Sequence, residues 1–295
     1  MSLFEGFAIR RIATRDAEIF VRCKGEGPPL LLLHGYPQTH AMWHAVAPAL
    51  AERFTVVCAD LRGYGDSSKP QGGGDHAVMS KRAMASDMVE AMATLGYSRF
   101  MVAGHDRGGR VTHRMCLDHP DAVTRAAVLD IVPTRTLFEA TSKELAEGYY
   151  HWFFLSRPFD FPERLIGGDP LYYLHAKLGS WSGGKSSGFA SPDAMAEYER
   201  CFADPATIHS SCEDYRAAAT IDLDHDKADE SARIACPLLV LWGRQGLMEK
   251  YFDVLATWRE KAAGPVRGCA LDCGHYLPEE APDATTRELL TFFSD

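Results

Sequence analysis

The sequence predicts an α/β fold: a mostly parallel, doubly wound sheet with helices on both faces and a helical lid inserted across it. Three observations predict it. Short β-branched or Leu-rich runs alternate with longer segments of helical spacing, the pattern of strand–helix crossover units. Residues 104–108 read Gly-His-Asp-Arg-Gly directly after the apolar run 99–103, a strand, tight turn and helix of the form G-x-Asp-x-G. Between about 133 and 235 the alternation stops, aromatic residues crowd the chain and no strand pattern occurs.

Taken in order, Pro29–Leu33 and Thr55–Ala59 are the first buried-strand candidates, followed by 100–103, 126–131, 238–242 and Val266–Leu271. Segments 79–95 and 111–119 carry apolar residues at helical spacing. Gly72-Gly73-Gly74 reads as a surface loop, because no strand feeds it and no Lys-Ser/Thr opens a helix after it. The aromatic segment, with Tyr149, Trp152, Phe153, Phe154, Trp181 and Tyr198, reads as a lid whose rings mostly pack on one another. Such a lid roofs a site and keeps water from it. The predicted organisation is a core over 1–132, a lid over 133–235 and the rest of the core over 236–295, resuming at Cys236-Pro237.

A chain of 295 residues, 46% hydrophobic and 24% charged, has room for this single large core and its insertion. A formal charge of −9 with no Lys/Arg stripe excludes nucleic acid and anionic membrane surfaces as expected partners. No apolar run reaches transmembrane length, and the opening Met1-Ser2-Leu3-Phe4-Glu5 lacks the cationic and apolar regions of a signal peptide. Eight cysteines (Cys23, Cys58, Cys116, Cys201, Cys212, Cys236, Cys269, Cys273) form no C-x-x-C pair, the usage of reduced thiols in a cytoplasmic protein. No metal site and no cofactor are expected.

Chemistry is expected at the turn. Asp106 occupies the position where esterases carry serine. A carboxylate is a weak acyl nucleophile, but it displaces leaving groups from saturated carbon, giving an ester that water hydrolyses. In a fold of this topology the partners follow in chain order, acid and then histidine, each past a strand end. His275, in Cys273-Gly274-His275-Tyr276, follows the last strand. For the acid, Glu249 comes late after 238–242, whereas Asp130 closes the run Val128-Leu129-Asp130; an unpaired Asp there is costly to bury, so Asp130 is assigned. Backbone N–H groups of Tyr36, in His34-Gly35-Tyr36-Pro37-Gln38, and of Arg107 are the expected oxyanion donors. His34 and His105 flank tight turns and are read as structural.

Arg107 and Arg110 lie three apart on the helix that the turn opens, so two guanidiniums border Asp106. A cation there pins Asp106 unless another anion claims it. A substrate carboxylate does so through bidentate pairing, which points to a leaving group on the carbon beside a carboxylate, a 2-haloacid.

These residues resemble the fluoroacetate dehalogenases, α/β-hydrolases of the haloacetate dehalogenase group, along essentially the whole chain. His34-Gly35-Tyr36-Pro37-Gln38 and Asp60-Leu61-Arg62-Gly63-Tyr64-Gly65-Asp66-Ser67-Ser68-Lys69-Pro70 are shared with epoxide hydrolases and haloalkane dehalogenases. Gly104-His105-Asp106-Arg107-Gly108-Gly109-Arg110 and the lid motif Tyr150-His151-Trp152-Phe153-Phe154 are more selective. The resemblance implies that His151, Trp152 and a lid tyrosine, matched by Tyr215 in Asp214-Tyr215-Arg216-Ala217, hold the departing halide, and that the protein is a homodimer acting on a small haloacid. Two other readings stand beside it. An epoxide hydrolase uses the same aspartate and two lid tyrosines, for which Tyr150 and Tyr215 are candidates. A non-catalytic binding protein on this fold usually lacks a member of the triad, and this chain has candidates for all three.

Overall fold

The computed structural model describes residues 3–183 and 189–295; Met1 and Ser2, part of the stretch read for a signal peptide, lie outside them. Its centre is one sheet of eight strands: β1 (Ala8–Ala13), β2 (Glu18–Lys24), β3 (Pro29–Leu33), β4 (Thr55–Ala59), β5 (Phe100–His105), β6 (Val123–Leu129), β7 (Leu238–Gly243) and β8 (Val266–Leu271). Their spatial order is β1-β2-β4-β3-β5-β6-β7-β8. β1 pairs antiparallel with β2 and β2 with β4; every pairing from β4 to β8 is parallel.

The inner parallel strands β3, β4, β5 and β7 form where the sequence is nearly continuously apolar, because helices cover both faces and leave no wet side to alternate towards. β5 and β7 are buried at every residue. β1 and β2 were not expected from the sequence. β1, AIRRIA, is exposed at five of its six positions and sits at the sheet edge, so its apolar signal is thin.

The helix expected over 79–95 is a short 3-10 turn, Ala77–Met79, followed by Lys81–Thr94, whose first turn is capped by the Ser80 hydroxyl accepting from Ala83 N–H. The helix expected over 111–119 begins earlier, as Arg107–Asp118. Its first turn is Arg-Gly-Gly-Arg, which carries no apolar periodicity to read. Between β6 and β7 the named elements of the described residues are all helices, from Thr134–Glu139 to Ile221–Ala228. Phe138, Tyr149, Trp152, Trp181 and Tyr215 join the buried apolar cluster there.

Strand order reverses at β3: the chain passes to β4 on one side and to β5 on the other. Sheets of this kind leave a crevice beyond the carboxyl ends of the strands at such a point. The segments that leave β3, β5, β6 and β8 at that end carry Tyr36, Asp106, Asp130 and His275.

Candidate active site

The turn after β5 is forced by close packing. A Cβ built on Gly104 would stand 2.3 Å from the Gly108 carbonyl oxygen, and one on Gly108 would stand 2.4 Å from that of His34. Glycine at both positions lets strand, turn and helix close on one another. Asp106, between them, has φ 45° and ψ −112°, a backbone region that a non-glycine residue occupies at a cost and that concentrates at functional sites. Its side chain is 1% exposed, and the Tyr36 N–H donates to its Oδ1 at 2.9 Å. Burial pushes its carboxyl up, but the neighbouring His275, His105, Arg107 and Arg110 outweigh burial and hold it below the ordinary carboxylate value.

Asp130 ends β6 and also has a positive φ, 53°. The Gly243 N–H donates to its Oδ1 at 2.8 Å, and His275 Nδ1 donates to its Oδ2 at 2.5 Å. Nε2 of His275 is buried with no partner among the described residues. Glu249, the alternative acid, accepts instead from the Trp242 indole N–H. His34 Nε2 accepts from the Leu61 N–H at 3.0 Å, and His105 Nε2 donates to the His275 carbonyl at 2.7 Å; both brace backbone.

Arg107 and Arg110 are not solvated helix charges. They are 0% and 3% exposed. One expectation needs correction: the anion that draws Arg107 away from Asp106 is a protein side chain. Asp214 accepts from Arg107 Nε at 2.9 Å and Nη2 at 2.6 Å, and its carbonyl takes a third bond at 3.0 Å. Asp214 also accepts from Lys81 and from the Tyr64 hydroxyl. Buried charge requires such pairing, and the geometry leaves Arg107 Nη1 without a partner among the described residues. Arg110 donates through Nη1 to the Val132 carbonyl at 3.0 Å and the Thr134 hydroxyl at 3.1 Å, and its Nε has no partner among the described residues. Burial and the charge of Arg107 bring Arg110 down to about 10.

The lid closes over these groups with aromatic rings. Arg107 lies 4.2 Å from the Tyr215 ring centroid and Arg110 lies 4.4 Å from that of Trp152. Tyr215 meets Trp152 at 5.7 Å and His151 at 5.3 Å; His151 meets Trp181 at 4.6 Å, and Trp181 meets His275 at 4.8 Å. One continuous set of contacts thus joins the predicted lid residues to His275. Within it Trp152 Nε1, the Tyr215 hydroxyl and His151 Nε2 are buried and without partners among the described residues. Burial, then Lys177 and the arginines, hold the His151 imidazole neutral. Buried polar atoms are paired in the great majority of native structures, so three unpartnered ones in one cluster are an exception. A cavity of about 470 Å³ lies on the His275 side of these contacts, lined by Asp130, Tyr149, Tyr150, Trp181, Leu247 and His275.

The sequence reading named Trp181 only as a lid aromatic and Asp214 only as a neighbour of Tyr215, and it missed Lys177. Tyr173, Lys177 and Trp181 are spaced by four, so a lysine lies on an aromatic helix face; that was the available signal. Asp214 stands beside Tyr215 in the sequence, and only the fold brings it to Arg107.

Residues 28–282 match the alpha/beta hydrolase fold family. A fluoroacetate dehalogenase from Burkholderia sp is 48% identical over 293 residues, covering 99% of this chain and 96% of that protein. A soluble epoxide hydrolase from Corynebacterium sp. (strain C12) is 36% identical over 273 residues, covering 92% of this chain and 91% of that protein. The crystal structure of a putative alpha/beta hydrolase from Nostoc sp PCC 7120 superposes with a TM-score of 0.97 at 54% identity, over 99% of each chain. With its eight-stranded sheet, its strand–turn–helix at Asp106 and these full-length matches, the chain belongs to the α/β-hydrolases and, among them, to the family of the fluoroacetate dehalogenases.

Proposed function

We propose that this chain hydrolyses the carbon–halogen bond of small 2-haloacids, converting fluoroacetate or chloroacetate to glycolate and halide. The observation that carries the reading is the pairing of a buried carboxylate, Asp106, with two sets of unpartnered donors: Arg107 Nη1 and Arg110 Nε on one side, Trp152, Tyr215 and His151 on the other. The first set suits a substrate carboxylate, the second a departing halide.

Asp106 carboxylate attacks the carbon bearing the halogen; the new C–O bond forms as the C–X bond breaks, and halide leaves with the electron pair. His275 Nε2 then takes a proton from water, whose oxygen adds to the carboxyl carbon of Asp106. The Tyr36 N–H, 2.9 Å from Asp106 Oδ1, is placed to stabilise the oxyanion, together with the backbone N–H of Arg107. Collapse expels the glycolate oxygen, which receives the proton from His275, and the Asp106 carboxyl releases its remaining proton to solvent, restoring the carboxylate. Asp130 orients the imidazole and stabilises its charged form.

Epoxide hydrolysis is the second reading, favoured by the Corynebacterium relative. Against it, Tyr150, one of the two tyrosines it needs, is 44% exposed, and a neutral epoxide has no use for two buried guanidiniums. The deciding experiment is ion chromatography of halide released from fluoroacetate and chloroacetate, run beside styrene oxide consumption. Halide release with styrene oxide untouched is expected; the reverse would establish the epoxide reading. No turnover of either would favour the binding-protein alternative.

All eight cysteines are free thiols, which fits a reducing compartment, and we place the enzyme in the cytoplasm. The homodimer implied by the resemblance belongs to the same proposal. It is supported by exposed apolar lid side chains, Phe159, Phe161 and Leu165, and light scattering after gel filtration checks it, a monomer mass overturning it.

A further inference from the structure

Lys177 lies in the middle of the lid helix Pro170–Trp181 and is 1% exposed. Its Nζ is 3.9 Å from the Trp181 ring centroid and 4.6 Å from that of Tyr150. No carboxylate pairs with it among the described residues; its hydrogen-bond contact is His151 Nδ1, at 3.4 Å. Burying an unpaired lysine among rings is costly, and a structural role needs no charge there. His151 is the ring whose other nitrogen, Nε2, is buried and unpartnered beside Tyr215 and Trp181.

We propose that Lys177 is a positioning residue of the leaving-group site: by donating to His151 Nδ1 it fixes the imidazole with its hydrogen on Nε2, so that His151 presents an N–H to the departing halide. This rests on the haloacid reading above. A neutral imidazole has one donor and one acceptor nitrogen, and the bond made by one decides the other. An ammonium has three donors and no acceptor, so a charged Lys177 forces Nδ1 to accept. A neutral amine can instead accept from Nδ1–H, which turns a lone pair on Nε2 towards the halide and repels it.

Burial lowers Lys177 to about 7, opposed by the charge of Asp106 across the site. The groups facing the pair are Tyr36, Tyr149, Tyr150 and Tyr215, whose rings meet that of His151, Asp106, and the arginines and His275 that act on His151. An anion forming at Nε2 favours the charged lysine, so the donor is strongest as the C–X bond breaks.

The test is the long-range ¹H–¹⁵N NMR pattern of histidine ring nitrogens in the full chain, with the His151 signals identified by their loss in His151→Gln. The wild type is expected to show Nε2–H with an unprotonated Nδ1. Lys177→Met should add a component of the Nδ1–H tautomer, and Lys177→Arg, a donor-only replacement, should not. A wild-type Nδ1–H pattern overturns the proposal even if Lys177→Met fails to fold, and so does an unchanged pattern in a folded Lys177→Met. In turnover, Lys177→Met should lose about tenfold more with fluoroacetate than with bromoacetate, with Lys177→Arg recovering most of the difference. Equal losses overturn the link to the halide. If no haloacetate releases halide from the wild type, the haloacid reading fails, while the tautomer pattern still decides what Lys177 does to His151.

Discussion

His275 donates from Nδ1 to Asp130 at 2.5 Å, so in the neutral imidazole Nε2 carries the lone pair and has no proton to give the departing halide. The proposed division of labour follows: alkylation of Asp106 needs no histidine, and hydrolysis of the ester does. His275→Asn is therefore expected to accumulate a covalent adduct on Asp106, visible by intact mass after incubation with chloroacetate, while steady-state halide release falls to one equivalent. An unmodified variant would place His275 in the first step. The same scale holds the role of Asp214, which takes three bonds from Arg107. Removing its charge leaves a buried guanidinium uncompensated, a loss of about 3–5 kcal/mol where such pairs have been broken. Asp214→Asn is expected to melt well below wild type and to raise KM for chloroacetate, because Arg107 then turns to Asp106. An unchanged KM would mean that Arg107 does not meet substrate.

At the scale of elements, the lid carries the discrimination between halides. Fluoride concentrates its charge most and leaves least readily, so it depends most on Trp152, Tyr215 and His151. Loss of one donor aimed at developing charge costs about 2.7–4 kcal/mol, or 10²–10³ in rate. Trp152→Phe and Tyr215→Phe are expected to cut fluoroacetate turnover by about that factor and bromoacetate turnover far less. Equal fractional losses would assign these side chains to packing alone. The elements themselves were unequally legible. β3, β4 and β8 match the predicted ranges, and β5, β6 and β7 overlap theirs; strands covered on both faces, such as β3 and β7, are written as unbroken apolar runs. The edge pair β1 and β2 was missed because half-wet strands carry charges such as Arg10, Arg11 and Lys24. The triad candidates were legible because each follows a strand end in fixed order. Asp214 and Lys177 were not, because their meaning lies in partners 107 and 26 residues away.

For the whole molecule, lid and core must stay in register, and one buried cluster ties them. Glu279, on the segment that follows His275, accepts from Gln38 Nε2 at 2.5 Å, on the loop that carries Tyr36, and from the hydroxyl of Tyr198 in the lid at 2.9 Å. Burial raises its carboxyl from the ordinary 4.5 to about 8, against the two bonds that favour the ion. The folded chain therefore keeps a proton that the unfolded chain releases. Stability from this group is complete below about 4.5 and is lost as pH rises towards 8. Glu279→Gln cannot ionise, and Gln38, whose Oε1 is buried without a partner, can rotate its amide to accept from the new one. The variant should thus melt close to wild type at pH 5 and progressively above it up to pH 8, read as Tm against pH by calorimetry. Two parallel curves would show that Glu279 is ionised throughout, and that lid and core are joined by a charge rather than by a neutral acid.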